Sequence, residues 1–256
     1  MTINIMTIAF GTYRLSGNES EDIDIVSYAI RNGYSIIDTA ESYKDGYSEH
    51  IVGKAIRGFD RKHITIVTKI SPDMTGEEIM RRAKLSSVRL GTYIDIYLLH
   101  SENKKISYEE TFGAFRELKK ENLLLDFGMS NASYSTLVGL HKFGMAAVEN
   151  EFSLCFRHNS DALRYCLHTE KEFLAYMPLS SGHLLAGNNL KRLKEFASRY
   201  GTSPANIALR WIIQKGGIPV IGSLDKAHIL ENTRNGFTIS DEDMDELDSI
   251  EWEEMN

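Results

Sequence analysis

Short apolar runs alternate along the chain with longer segments in which apolar residues recur every three or four positions. The short runs are rich in Ile, Val and Leu, as is typical of strands buried in a parallel sheet. The longer segments have the period of helices with one buried face. Strands are predicted at 5–10, 33–38, 63–68, 93–99, 123–128, 146–148, 172–176 and 218–221. Helices are predicted at 19–32, 48–57, 75–90, 108–121, 133–142, 161–168, 190–200, 204–215, 226–235 and 240–250.

Eight strands that alternate with helices over 256 residues predict a parallel sheet, and in particular a single (β/α)8 TIM barrel that spans residues 1–256. An open, doubly wound sheet is the alternative arrangement. It would be expected to carry G-x-G-x-x-G after the first strand. That motif is absent from the sequence, as are a P-loop and H-E-x-x-H, so the pattern favours the closed barrel.

The composition is ordinary for a globular protein, with 42% hydrophobic and 25% charged residues. The net charge of -7 argues against nucleic acid as a partner and against a polybasic membrane anchor. The sequence has no apolar run of the roughly 20 residues that span a bilayer, and no basic N-terminal region typical of a secretory signal. Its two cysteines, Cys155 and Cys166, are too few for a metal cage. We therefore expect no metal site and a reducing, cytoplasmic location.

Four polar side chains are candidates for chemistry, because three successive predicted strands each run into one of them. Asp38, Lys69 and His100 follow the second, third and fourth strands, and Tyr43 lies shortly after Asp38. In a closed parallel barrel these strand ends lie on the face where such folds carry out chemistry. Taken singly, each residue has a structural explanation: a cap, a solvated cation, a hydrogen-bonded histidine or a packed ring. Together they predict one active site.

These four groups are suited to donating a proton. A phenol has a pKa of about 10, and we expect the Lys69 ammonium to lower the pKa of Tyr43 by about one to three units. Asp38 would hold Lys69 and compensate its buried charge. A neutral His100 could donate a hydrogen bond to a substrate oxygen that gains negative charge. The sequence therefore predicts protonation of an alkoxide formed from a carbonyl, with a bound cofactor as the hydride source.

The four candidate residues and the segments around them resemble the aldo-keto reductase superfamily. The similarity covers nearly the full length of the chain. The resemblance implies a (β/α)8 barrel that reduces carbonyls with NAD(P)H. It implies that Tyr43 is the general acid, that Lys69 and Asp38 tune it, and that His100 orients the carbonyl. The matching segments are 11–13, 33–43, 52–56, 67–69, 90–100, 128–131 and 231–232.

The resemblance also implies a set of cofactor contacts. Ser130 and Asn131 match the pair that binds the nicotinamide carboxamide, and Tyr176 matches the ring that stacks on the nicotinamide, although Tyr176 could also be barrel packing alone. Glu149 stands where the family usually has Gln, and a carboxylate cannot donate a hydrogen bond unless it is protonated. The full implied set is Gly11, Thr12, Tyr13, Asp38, Ser130, Asn131, Glu149, Tyr176, Leu179, Ser181, Gly222, Ser223, Lys226, His228, Glu231 and Asn232.

The adenosine end of this set departs from the family pattern. Members that prefer NADPH place basic residues around the 2′-phosphate, whereas here Asp225 would repel a phosphate and His228 holds the usual Arg position. Lys226 is the remaining cation of that stretch, and a bidentate arginine clamp is missing. We expect NADPH as the cofactor because members of the family usually use it, with NADH as the alternative.

The substrate side is expected to be open. The chain ends shortly after Trp252, and segment 101–105 lacks the tryptophan often found there. We therefore expect a shallow pocket with loose or large-substrate specificity, in a monomer or weak oligomer that acts on a small carbonyl compound. Two other classes stay open: a cofactor-binding regulatory or partner subunit with little turnover, and a non-redox barrel enzyme such as an isomerase. The matches at Ser130, Asn131 and Tyr176 argue against the isomerase.

Overall fold

Eight parallel strands hydrogen-bond in chain order in the computed structural model, which describes residues 8–253. The first strand also pairs with the last, so the sheet closes. The predicted (β/α)8 barrel is confirmed; the part of the predicted first strand at 5–7 lies outside the described residues. The strands are β1 (Ala9–Gly11), β2 (Ile36–Asp38), β3 (Thr65–Ile70), β4 (Ile94–Leu99), β5 (Leu124–Ser130), β6 (Ala147–Glu151), β7 (Glu172–Tyr176) and β8 (Ile218–Ile221).

The helices lie outside the barrel, and their ends follow local capping rules. Before α3 (Gly76–Leu90), Thr75 accepts a hydrogen bond from the backbone of Glu78 while the Glu78 side chain accepts one from the backbone of Thr75, which satisfies two otherwise unpaired N–H groups. Gly91 ends that helix in the left-handed region at φ 68°. The helices are α1 (Glu19–Arg31), α2 (Tyr47–Ala55), α3 (Gly76–Leu90), α4 (Tyr108–Lys120), α5 (Tyr134–Gly139), α6 (Ser160–His168), α7 (Gly187–Tyr200), α8 (Pro204–Gln214), α9 (Lys226–Asn232) and α10 (Asp241–Ser249).

Several predicted boundaries differ from the structure. The predicted helix at 133–142 is a short α5 followed by a separate 3-10 turn, and the predicted helix at 226–235 ends at Asn232. Strands β5 and β6 are longer than predicted, because polar residues continue their ladders as far as Ser130 and Glu151. The extension matters for function, since it places polar side chains on the two strands next to the predicted site.

A small apolar cluster fills the barrel, and a larger one lies between the strands and the helices. The interior cluster includes Val67, Leu98 and Ala147. Gly128 lies between Leu98 and Ala147 in the strand register, and a Cβ at Gly128 would be 1.9 Å from the Ala147 carbonyl oxygen. Glycine therefore sets the close approach of β5 and β6. Within residues 8–253, none of the helices combines the length and the apolar character needed to cross a bilayer.

Candidate active site

The ammonium of Lys69 is the centre of a polar cluster at the C-terminal ends of the strands. Its side chain is fully buried on β3. The Nζ atom donates to the carboxylate of Asp38 at the end of β2, and to the carbonyl of Thr39 at 3.0 Å. It lies 3.4 Å from the hydroxyl of Tyr43 and 3.3 Å from Oε1 of Glu149 on β6. Three of the four predicted catalytic residues thus lie within one hydrogen-bonded group, which Glu149 joins.

Burial and charge oppose each other at Lys69. Desolvation alone would lower the pKa of the ammonium, but the charge of Asp38, followed by the Glu149 carboxyl group, outweighs it and raises that pKa. Lys69 is therefore protonated throughout the physiological range. A charged lysine inside a barrel needs a buried counter-charge, and Asp38 supplies it.

Two carboxyl groups share this single cation. Burial, followed by the charge of Asp38, raises the pKa of Glu149 to about 8, so Glu149 holds a proton at neutral pH. Burial also raises the pKa of Asp38, but Asp38 has the more direct contact with Lys69. We therefore place the negative charge on Asp38 and the proton on Glu149. A protonated Glu149 can donate a hydrogen bond, as the glutamine usual in the family could.

The Tyr43 hydroxyl is positioned for proton transfer, although its acidity differs from the prediction. The ring packs edge-on against Tyr13 at 5.1 Å and against His100 at 6.0 Å. Burial raises the pKa of Tyr43 and exceeds the lowering effect of Lys69, while Asp38 and Glu149 add to the increase. The expected lowering of this pKa is therefore wrong for the described structure. Tyr43 is protonated at neutral pH, which is the form that a proton donor requires.

His100 lies beside the phenol and is neutral. Burial, and to a lesser degree the charge of Lys69, lower its pKa to about 4. Its Nδ1 atom is 3.5 Å from the hydroxyl of Ser42, and a bond donated by Ser42 would favour the tautomer protonated on Nε2. Its backbone carbonyl accepts a 2.9 Å hydrogen bond from the Asn131 side chain. A neutral imidazole in this place can donate a hydrogen bond without adding a second positive charge beside Lys69.

Buried hydroxyl groups support the cluster from behind. Thr12 donates to the carbonyl of Asp38 at 2.8 Å, and its hydroxyl lies 2.6 Å from that of Ser48, which in turn accepts from Thr39 at 2.8 Å. These contacts join the ends of β1 and β2 to the first turn of α2. Thr12 was predicted as a cofactor contact, and the supporting role of Ser48 was not predicted. The available signal was a serine in the first turn of a predicted helix.

A second missed support lies under β3. Glu49 is fully buried; it accepts a 2.6 Å hydrogen bond from Thr68 and forms a 2.6 Å ion pair with Arg89. Thr68 is the neighbour of Lys69 in the strand, so this ion pair anchors α2 and α3 to the strand that carries the ammonium. Buried charges need such partners, and an acidic residue within an apolar helix face was the signal in the sequence.

The residues implied to contact the nicotinamide lie together on neighbouring strands. Ser130 on β5 is paired in register with Glu149 on β6. Asn131 donates from its backbone to the Glu149 carbonyl at 2.9 Å, and its side-chain oxygen accepts a 2.6 Å bond from the Tyr176 hydroxyl. Oε2 of Glu149 is buried with no hydrogen-bond donor beside it, and the carboxyl group lies within hydrogen-bond reach of Asp38. Ser130, Asn131 and Glu149 together place hydroxyl, amide and carboxyl groups side by side, and this donor and acceptor set fits a ring that carries a carboxamide.

The loop after β7 and the end of β8 are tightly turned. Ser180, Ser181 and Gly182 all have positive φ values, of 47°, 54° and 96°. The backbone N–H groups of Ser180 and Gly182 donate to the carbonyls of Met177 at 2.8 Å and Leu179 at 2.9 Å, so these two groups are not free to bind a phosphate. Leu179 is half-buried at the start of this loop, and a Cβ at Gly222 would lie 2.2 Å from the carbonyl oxygen of Gly11. Gly222 therefore permits the close approach of the ends of β1 and β8, while contact of this loop with a pyrophosphate stays a prediction.

The adenosine end has less free positive charge than predicted. Lys226 forms a 2.5 Å ion pair with Asp24 of α1, and His228 lies 3.9 Å from Asp225. The Ser223 hydroxyl accepts a hydrogen bond from the backbone of Asp225 at 3.0 Å and helps to shape the turn before α9.

A cavity of about 570 Å³ opens beside Glu231. Asn206 on its wall donates to the carbonyl of Glu231 at 3.0 Å, and the neighbouring Asn232 is buried. Arg234, which was not among the predicted residues, also lines this cavity. The adenine contacts of Glu231 and Asn232 stay predictions.

Comparisons with known proteins agree with this geometry. The chain is 28% identical to the methylglyoxal reductase YeaE of Escherichia coli, over 90% of this chain and 85% of the relative. It is 31% identical to the glyoxal reductase of Bacillus subtilis, over 93% of this chain and 86% of the relative. A crystal structure of an aldo-keto reductase from Klebsiella pneumoniae with NADPH has 27% identity and a TM-score of 0.87 over 94% of this chain and 89% of the other. A profile described as the aldo/keto reductase family matches residues 7–251, and the chain therefore belongs to this family of NAD(P)H-dependent carbonyl oxidoreductases.

Proposed function

We propose that the protein reduces small 2-oxoaldehydes, of the glyoxal and methylglyoxal class, to the corresponding hydroxycarbonyl compounds, with Tyr43 as the general acid. The observation that carries the proposal is the position of the Tyr43 hydroxyl, 3.4 Å from the buried Lys69 ammonium. His100 lies on the same face, and the nicotinamide-contact set is built around Glu149. The curated relatives in Escherichia coli and Bacillus subtilis are named for the reduction of these two dicarbonyl compounds.

The side chains divide the reaction between them. The bound cofactor supplies a hydride to the carbonyl carbon. Tyr43 donates its proton to the carbonyl oxygen, so that no free alkoxide has to form. The Lys69 ammonium stabilises the phenolate that remains, and Asp38 keeps that ammonium in place. The neutral His100 donates a hydrogen bond to the same carbonyl oxygen and so favours a polarised carbonyl group.

An accessible phenol supports broad use of small carbonyl compounds. The Tyr13 ring that packs against Tyr43 is 69% exposed, so the wall beside the catalytic hydroxyl faces solvent. A site with few enclosing surfaces gains little binding energy from any one side chain of a substrate. Activated aldehydes such as 2-oxoaldehydes need less help from binding, because the second carbonyl already withdraws electrons from the reacting carbon.

NADPH is the cofactor, with a preference over NADH that we expect to be modest. The Klebsiella aldo-keto reductase structure contains NADPH, and the nicotinamide and pyrophosphate portions are shared by both cofactors. Lys226 is paired with Asp24, so a 2′-phosphate would have to compete for this cation. We further propose that the protein works in the cytoplasm as a monomer or weak oligomer.

A direct assay tests the proposal. Purified protein is mixed with NADPH and methylglyoxal, glyoxal or a bulky aromatic aldehyde, and the loss of NADPH absorbance is followed. We expect turnover of the dicarbonyl compounds, and a loss of about 100-fold or more in the Tyr43→Phe variant. Binding of NADPH without turnover of any carbonyl would instead support the regulatory-subunit alternative. Absence of NADPH and NADH binding would contradict both.

A further inference from the structure

Glu149 places a second carboxyl group beside Lys69, the one ammonium that faces it among residues 8–253. The side chain is 2% exposed on β6, and Oε1 lies 3.3 Å from Nζ of Lys69. Oε2 is buried with no hydrogen-bond donor beside it, and the carboxyl group lies within hydrogen-bond reach of Asp38. Asp38 already has the direct contact with Lys69. A second full negative charge in this volume would be left without a counter-charge of its own.

No other cation faces Glu149 among the described residues. The titratable and charged groups that act on it or respond to it are Asp38 from β2, Tyr43 from the loop after β2, Lys69 from β3 and Tyr176 from β7. The two phenols carry no positive charge, and the partner on β5 is Ser130, which does not titrate. The apoprotein therefore holds Glu149 as the neutral acid, with its pKa raised to about 8 by burial and by Asp38.

The neighbouring cluster is the one that fits a nicotinamide ring. Ser130 is paired in register with Glu149, and Asn131 donates a backbone hydrogen bond to the Glu149 carbonyl. The oxidised nicotinamide ring carries a positive charge, whereas the reduced ring is neutral. A positive charge beside a buried carboxyl group favours its ionised form. The two redox states of the cofactor therefore place different demands on the same side chain.

We infer that Glu149 couples proton binding to the redox state of the cofactor: it releases its proton when the oxidised cofactor binds and keeps it when the reduced cofactor binds. This inference rests on the proposed function, since it needs a nicotinamide cofactor in the site. The O–H bond of the Glu149 carboxyl breaks, the electron pair stays on the carboxylate, and the proton passes to the buffer. No electron is transferred in this step.

The coupling predicts the direction in which the affinity for the oxidised cofactor changes with pH. Below about pH 8 the oxidised cofactor must bind with loss of a proton, so its dissociation constant should rise as the pH falls. If the ring charge lowers the pKa of Glu149 by about two units, the rise between about pH 8 and about pH 6 is roughly 25-fold. The dissociation constant of the reduced cofactor should change less than about threefold over the same range.

Isothermal titration calorimetry of the full-length protein measures the proton directly. NADP⁺ and NADPH are titrated separately at about pH 7 in two buffers with different enthalpies of ionisation. We expect release of close to one proton with NADP⁺ and almost none with NADPH. Tryptophan fluorescence quenching at several pH values gives the dissociation constants independently.

Three variants separate Glu149 from its neighbours. Glu149→Gln should bind both cofactors without proton release and should remove the pH dependence for NADP⁺. Glu151→Gln, on the same strand, and Tyr43→Phe should both retain the release. If wild type binds both cofactors without releasing a proton, or if Glu149→Gln still releases one, the inference is overturned. If wild type binds neither cofactor, the proposed function itself fails, and the two failures are therefore distinguishable.

Discussion

Replacing Glu149 by Gln should make the apoprotein less sensitive to alkaline pH. In an unfolded chain a glutamate has a pKa of about 4.3, whereas burial and the charge of Asp38 raise the pKa of Glu149 to about 8 in the folded protein. Between these values the folded state holds a proton that the unfolded state has released. Stability from this group is therefore complete below the unfolded pKa and is lost as the pH rises through the folded one.

The size of the effect follows from the same two pKa values. Each unit of pH between them changes the free energy of unfolding by about 1.4 kcal/mol. From about pH 5 to about pH 8, wild type should lose about 4 kcal/mol at most relative to Glu149→Gln, because the variant carries a neutral amide of similar shape. Urea denaturation of both proteins at several pH values measures the difference, and other titrating groups cancel in the comparison.

The control is Glu151→Gln, which changes a less buried carboxyl group on the same strand. It should follow the wild-type dependence much more closely. Parallel curves for wild type and Glu149→Gln across the whole range would refute the reasoning, because they would mean that Glu149 is ionised in the folded protein at neutral pH.

Three further changes test other parts of the account. Lys69→Met removes the ammonium that contacts Asp38 and should lower kcat for methylglyoxal by about 100-fold or more. NADPH absorbance measures this rate, and a near-wild-type kcat would contradict the role of Lys69. Gly128→Ala places a Cβ 1.9 Å from the Ala147 carbonyl oxygen and should lower the free energy of unfolding by about 1–3 kcal/mol. Urea denaturation measures this change, and an unchanged midpoint would show that β5 and β6 can move apart without loss of stability. Because the pKa of His100 is lowered to about 4, the pH profile of kcat/KM should show no loss from His100 protonation near pH 6.5, and an inflection there that disappears in His100→Gln would contradict the neutral assignment.

The barrel and the four predicted catalytic residues could be recognised from the chain alone. An apolar strand that runs into Asp38, Lys69 or His100 is visible in one dimension, because the change from apolar to polar occurs between neighbouring residues. The parallel topology then brings consecutive strand ends to one face. The predicted fold, family and carbonyl oxidoreductase activity are confirmed. The structure brings the four side chains together, while their catalytic roles stay predictions.

The pKa of Tyr43 could not be predicted from the residues next to it in the sequence. A lysine beside Tyr43 suggested a lowered pKa, but burial of the phenol and the two nearby carboxyl groups have the larger effect. Burial depends on the whole fold. The sequence marked Glu149 as unusual for its position, but its closeness to both Lys69 and Asp38 became apparent only when β2, β3 and β6 were placed around the same interior.

The ion pair that Lys226 forms at the adenosine end could not be predicted from the sequence, because its partner is distant along the chain. Lys226 was the one firm cation in its stretch of sequence, and nothing nearby suggested that it was already engaged. Its partner, Asp24, lies on α1 near the other end of the chain. The closure of the barrel brings α1 next to α9, and the residues around Lys226 in the sequence do not indicate that contact.

The most direct measurement of the central claim is a single-turnover experiment on Tyr43→Phe. Protein saturated with NADPH is mixed rapidly with methylglyoxal, and the oxidation of the bound cofactor is followed by its absorbance. We expect NADPH to bind to the variant within about threefold of wild type, while the rate of cofactor oxidation falls by about 100-fold or more. Oxidation at the wild-type rate by a variant without the hydroxyl would contradict the assignment of Tyr43 as the proton donor.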